Sequence, residues 1–365
     1  MTAISVRRRL FLLGLTVALA GFVGLLARFR PHTSPASGTT WSEVGAQDPR
    51  VAGVFTTLQE RGLSAALDSL ERKAAADSLV LRAGHQLAHA LGRHAFSAMP
   101  GGLGVIAQCR AVFASGCYHG VVEAALAVRD RIDVAELEGM CAAAGNAGSL
   151  RAVYECMHGL GHGLLAAVEL DVPNALQYCD SLSSPRFSTA CHQGAFMEAI
   201  TLGLAGSGGH HHAHHGAIAI DPADPYSPCR GFDDPYADSC WLFQGFVILR
   251  SVGFDPGRAL RVCDGAPEGR AGRCYESVGH QLAGLFQRGN DWIIAQCASG
   301  RAELAPHCSA GAALALAALD WSGKRVREFC AGLPEAWRDA CRLCTPAASL
   351  DAPSVPVAHM DYGLI

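Results

Sequence analysis

The chain has 365 residues, half of them hydrophobic and only 17% charged, with a net charge of −4. That length allows one large or two medium domains with a sizeable core, and the slightly acidic balance without a basic face gives no footprint for nucleic acid. Alanine is abundant and aromatic residues make up only 7% of the chain, which favours closely packed helices over sandwiched strands.

Residues 1–30 read as a signal peptide or an N-terminal membrane anchor. Arg7, Arg8 and Arg9 precede an apolar run from Leu10 to Ala27, a length that suits either role. Arg8–Arg9–Leu10–Phe11–Leu12 is similar to a twin-arginine export signal, although Arg7 stands before the pair in place of Ser or Thr. Ser34–Pro35–Ala36 is a weak cleavage site. The expected location is therefore periplasmic or otherwise extracytoplasmic, with attachment to the inner membrane if the segment is kept. Residues 31–49 are a Pro-, Ser-, Thr- and Gly-containing linker. A helical domain is expected over 50–345, and 346–365 form an extended tail. Within the domain Val51–Ala76 reads as a helix, with Glu60, Arg61, Glu71 and Arg72 facing outward.

The fifteen cysteines agree with export, because an oxidising compartment favours disulfides. Their order suggests the pairs 109/117, 141/156, 179/191, 229/240, 263/274, 297/308 and 330/341, with Cys344 left over. Either Cys341 or Cys344 could pair with Cys330. Four of these pairs are 11 residues apart, as expected of one staple used repeatedly. Thiolate metal sites would need clustered cysteines, and only Cys341–Arg342–Leu343–Cys344 has that form.

Successive second cysteines lie 39, 35, 49, 34, 34 and 33 residues apart. A period of about 34 is that of two-helix repeats. In each unit a helix is expected to start at the cysteine, as in Cys274 to Gln287. A turn follows, such as Asp171–Val172–Pro173–Asn174 or Gly253–Phe254–Asp255–Pro256. A shorter helix then ends at the next cysteine. The spacing of 49 reflects an insertion at 203–228.

This organisation resembles the tetratricopeptide-like, cysteine-stapled helical-repeat proteins of secreted bacterial type, over roughly residues 75–345. The Trp-x-x-Leu-Gly-x-x-Tyr pattern of that consensus is absent, so the resemblance concerns architecture. The expected fold is all-α: repeats forming a curved solenoid or near-closed toroid stapled by disulfides. The resemblance also implies an alternative function, a periplasmic scaffold binding a protein or peptide in its groove, with structural histidines.

The chemistry lies in the first helix of each unit. The clearest copy is Cys156–Met157–His158–Gly159–Leu160–Gly161–His162–Gly163. Six positions after the cysteine stand Glu123, His162, Met197, Phe246, His280 and Leu314, and four residues earlier His119, His158, Gln193, Leu242, Glu276 and Ala310. Residues four apart share a helix face and can chelate one ion. His119/Glu123, His158/His162 and Glu276/His280 are such pairs. An earlier copy without a cysteine carries His85 and His89, with His85 aligned on the later position. Sharing one site with Glu276 and His280 requires the repeat to curve back on itself. The insertion adds His210, His211, His212, His214 and His215, a tract suited to metal capture. Glu198 is a possible extra ligand or general base, weighed against an ordinary exposed carboxylate; His94 and His192 are similar cases. No c-type haem, metalloprotease, nucleophile-elbow or phosphate-loop motif is found.

The reading is an exported metal-binding protein, with a metalloenzyme as one form of it. Its divalent transition metal would be Zn, Mn, Fe or Cu, bound by His85, His89, His119, Glu123, His158, His162, Glu276 and His280.

Overall fold

The computed structural model describes residues 50–98, 102–110, 112–145, 150–206, 218–285, 288–319 and 322–342. The expected leader 1–30, linker 31–49 and tail 346–365, together with Cys344 and the tract His210–His215, lie outside the described residues.

Every described element is helical. The order is α1 (Ala52–Arg61), α2 (Leu63–Ala76), α3 (Ser78–Ala98), a 3-10 segment (Gly102–Gln108) and α4 (Gly116–Ala127). It continues with α5 (Val134–Ala144), α6 (Leu150–Ala167), α7 (Val172–Asp180), α8 (Pro185–Gly206) and a 3-10 turn (Cys229–Gly231). Then come α9 (Ala237–Ser251), α10 (Pro256–Cys263), α11 (Ala271–Leu285), α12 (Asn290–Ala298) and α13 (Ala305–Leu319). The last elements are α14 (Lys324–Gly332), a 3-10 turn (Glu335–Trp337) and α15 (Arg338–Arg342). None of the described helices is long and apolar enough to cross a membrane.

Local chemistry sets where these helices begin and end. The expected single helix Val51–Ala76 is two helices, because Gly62 takes φ +85° and separates α1 from α2. The short helices are capped: Asp133, Asp171 and Asp255 accept from the backbone N–H of Glu136, Asn174 and Arg258. Each cap satisfies one of the free donors at a helix start, and Pro173 and Pro256 occupy first-turn positions where no N–H is needed.

Seven disulfides form, with the pairing 109/117, 141/156, 179/191, 229/240, 263/274, 297/308 and 330/341. Most of them tie a short helix or turn to the long helix after it. Cys117 stands at the start of α4 as expected, but four other cysteines do not open their long helices. Helices α6, α8, α11 and α13 begin ahead of Cys156, Cys191, Cys274 and Cys308, which lie inside them. Ala152, Val153, Ala190 and Ala305 precede the cysteines and are themselves buried, so extending the helix backwards buries more apolar surface.

The long helices α3, α4, α6, α8, α9, α11 and α13 each pack on the next. Between them the core is filled by Met157, Phe196, Trp241 and Tyr275, all under 2% exposed. Glycines set how closely the backbones approach. A Cβ at Gly161 would overlap the Cys191 carbonyl oxygen, and one at Gly194 the His158 carbonyl oxygen. Because backbone atoms cannot swing aside, Gly194→Ala is expected to destabilise by about 3 kcal/mol through overpacking. Urea unfolding checks this; a change within experimental error would mean the helices can separate freely.

The same contacts correct one alignment. Gly92 of α3 abuts the Cys117 carbonyl as Gly161 abuts that of Cys191, and Gly120 abuts the His89 carbonyl as Gly194 abuts that of His158. In α3, therefore, Leu87 occupies the cysteine place and His89 the place of His119 and His158. His85 lies one turn earlier, not at the later position assigned from the sequence.

Candidate metal centre

Three neighbouring helices supply the imidazoles: α3 brings His85 and His89, α4 brings His119, and α6 brings His158 and His162. His89, His119 and His162 are buried, at 4%, 2% and 3% exposure. His85 and His158 are partly buried. Five rings meet because each pair four apart points to one side of its helix and the glycine contacts hold the helices close. Two triads result, His85/His89/His119 and His119/His158/His162, and within each the ligand atoms lie within 4.8 Å of one another.

The orientation of the rings is set from behind. His85 Nδ1 lies 2.8 Å from the Phe113 carbonyl oxygen, His89 Nδ1 lies 3.1 Å from Glu123 Oε1, and His162 Nδ1 lies 2.9 Å from Glu198 Oε2. All three partners accept hydrogen bonds, so each Nδ1 carries the proton and each Nε2 presents a lone pair. The Nε2 atoms of His85 and His89 are 3.2 Å apart, as are those of His158 and His162. His89 Nε2 is also 3.0 Å from His119 Nδ1. His119 Nε2 is buried without a hydrogen-bond partner.

Electrostatics reinforce this. Burial, helped by the neighbouring His89, lowers the His85 pKa to about 3. His119 and His158 are likewise held well below the usual imidazole range, by burial first and His162 second. Burial would raise the Glu123 pKa, but His89 and Arg93 outweigh it and hold the carboxyl at about 2. Glu123 is thus an anion facing His89 on one side and the Arg93 guanidinium on the other.

His85 and His89 therefore face each other lone pair to lone pair. Such a contact is repulsive unless a cation, either a metal ion or a shared proton, lies between the rings. Two nitrogens on one tetrahedral zinc, bound at about 2.0–2.1 Å, lie about 3.3 Å apart. The observed 3.0 and 3.2 Å are close to that separation. The donor set fits a metal.

No protein-family model, curated protein or solved structure matches the chain.

Not all the sequence-predicted ligands join the triads. Glu276 accepts from Arg273 Nη1 at 2.8 Å, one turn away on the same helix. Burial alone lowers the His280 pKa to about 4, and Gln281 Nε2 lies 3.2 Å from His280 Nδ1. The Phe243 ring lies near both His280 and His158, with centroids 6.1 Å and 6.4 Å away, and His280 is close enough to help lower the His158 pKa. Glu123 sits behind His89 as an orienting carboxylate. Glu198, given little weight in the sequence, does the same for His162. It stands on the next long helix, and only tertiary packing reveals the pairing. His192 is a structural histidine: its Nε2 is 2.9 Å from Asp180 Oδ1, and Tyr236 donates to the other oxygen of that carboxylate at 2.6 Å. His94 sits edge-on to Phe55, with ring centroids 5.4 Å apart, away from both triads.

Proposed function

We propose that this chain is an exported metal-binding protein whose ions sit in the two histidine triads. The observation that carries the reading is the His85–His89 contact, where two oriented imidazoles aim lone pairs at each other across 3.2 Å. Glu123 and Glu198 add the carboxylate–histidine arrangement that fixes ring orientation and raises ligand basicity at metal sites. With both carboxylates turned to Nδ1 atoms and Glu276 turned to Arg273, the inward donors are nitrogens. That set suits zinc, copper or iron better than manganese, which prefers oxygen. Seven disulfides suit an extracytoplasmic compartment, where metal ligation by cysteine gives way to cross-linking.

The recurrence of one stapled helix pair supports a repeat of about 34 residues with a tight curve. So does the hydrogen bond that the Arg151 guanidinium of α6 donates to the Ala317 carbonyl of α13.

The test is elemental analysis of untagged protein after gel filtration, with His158→Ala/His162→Ala beside it. Stoichiometric metal is expected in the parent, and the double variant should lose the ion of the second triad while keeping its helicity. Protein that retains no ion after loading with zinc, copper or iron would leave a shared proton between the His85 and His89 rings and end the metal reading.

A further inference from the structure

Resting on that reading, the geometry points to a dinuclear centre in which the His119 ring bridges two metal ions, one nitrogen on each. Four observations converge. His119 belongs to both triads. Its Nδ1 lies 3.0 Å from His89 Nε2, on the side of the first triad. Its Nε2 is buried and has no hydrogen-bond partner, so this nitrogen is satisfied by nothing else among the described residues. Finally, each triad has its own carboxylate-oriented imidazole, His89 with Glu123 in the first and His162 with Glu198 in the second. Two similar half-sites thus flank one shared ring.

The ring is also held where a bridge needs it. It stacks on His162 with centroids 4.7 Å apart and planes 22° from parallel. On another side Gly159 leaves room for it: a Cβ there would come within 2.9 Å of His119 Cδ2. Leaving a nitrogen this deep without a partner is unfavourable, and a bound ion removes that cost. With one ion bound, the second nitrogen can still carry its proton. When the second ion binds, that N–H proton leaves to solvent and the ring becomes an imidazolate, its negative charge balanced by the two cations.

Copper(II) is a suitable probe, because two unpaired spins joined through one imidazolate couple antiferromagnetically. The metal-free full chain would carry His210→Ser, His211→Ser, His212→Ser, His214→Ser and His215→Ser, so that the loop takes up no copper. It is titrated while bound copper, proton release and integrated electron paramagnetic resonance intensity are followed. Two coppers are expected to bind, with an extra proton released at the second and a signal that falls instead of doubling. His119→Ala, checked for retained helicity, should restore the full signal for whatever copper it holds. A full two-spin signal, saturation at one copper, or coupling that survives His119→Ala overturns the bridge and leaves the metal reading standing. A chain that holds no copper, zinc or iron removes both.

Discussion

Reduction of the disulfides with an excess of a non-chelating phosphine unfolds the protein at neutral pH without denaturant. The seven loops are short, from 8 to 15 residues between partners. On the chain-entropy model a 15-residue loop is worth about 3 kcal/mol. Summed over all seven, the staples contribute on the order of 20 kcal/mol, beyond the 5–15 kcal/mol by which a typical domain is stable. The local geometry points the same way. The short helices α7, α10 and α12 have few turns of their own, and isolated helices of that length are marginal in water. Each is kept beside a long helix by its cysteine. Loss of far-UV circular dichroism on reduction, together with release of bound metal, is the expected record. A reduced protein that keeps its helicity and melts cooperatively would show that side-chain packing alone carries the fold.

The disulfide framework was legible because the cysteines recur in order at similar spacing, which leaves one economical pairing for all but Cys330, whose partner could be read as Cys341 or Cys344. Helix type was legible for a similar reason: Asp171–Val172–Pro173 and Asp255–Pro256 are helix-start chemistry that no neighbour overrides. The break at Gly62 was not, since only the backbone angle distinguishes a tolerated helical glycine from one that ends the helix. In the site, spacing of four picked out the imidazole pairs, because that periodicity is a property of the helix itself. Spacing could not choose between ligand and orienting roles for a carboxylate. Glu123 and Glu276 each stand four residues from a histidine in the sequence, one after His119 and the other before His280. One faces His89 across a helix interface, while the other is drawn to Arg273 one turn back. Nor could it register α3, where the cysteine marker is replaced by Leu87 and the alignment comes from the approach of Gly92 to the Cys117 carbonyl and of Gly120 to the His89 carbonyl.

Metal-free protein loses its stability steeply as the pH falls from 6.5 to 4. The imidazoles of His85, His119, His158 and His280 carry most of this, and His192, also lowered by burial, acts in the same direction. In the folded state the pKa of His85 is lowered to about 3 and that of His280 to about 4, while His119 and His158 are well below the ordinary 6.5. Burial is the first cause in each. Above pH 6.5 these groups are neutral in both states and the folded protein keeps its full stability. Below it the unfolded chain binds protons that the folded chain refuses, so the unfolding free energy falls with pH. Each such group contributes a slope of about 1.4 kcal/mol per pH unit, and four together about 5. Glu155 opposes them, because burial raises its folded pKa and favours its protonated form as pH drops, but it is one group against four. A domain of ordinary stability is then exhausted within about two pH units. Bound metal shifts the transition to lower pH without changing its direction, since protons and ions compete for the same lone pairs. His280→Gln separates the contributions: it removes one titrating ring outside both triads and should lower the slope by about one proton. Urea midpoints measured from pH 7 to pH 4 on chelator-treated protein give that slope directly, and a flat profile would mean that the buried imidazoles take up protons without unfolding.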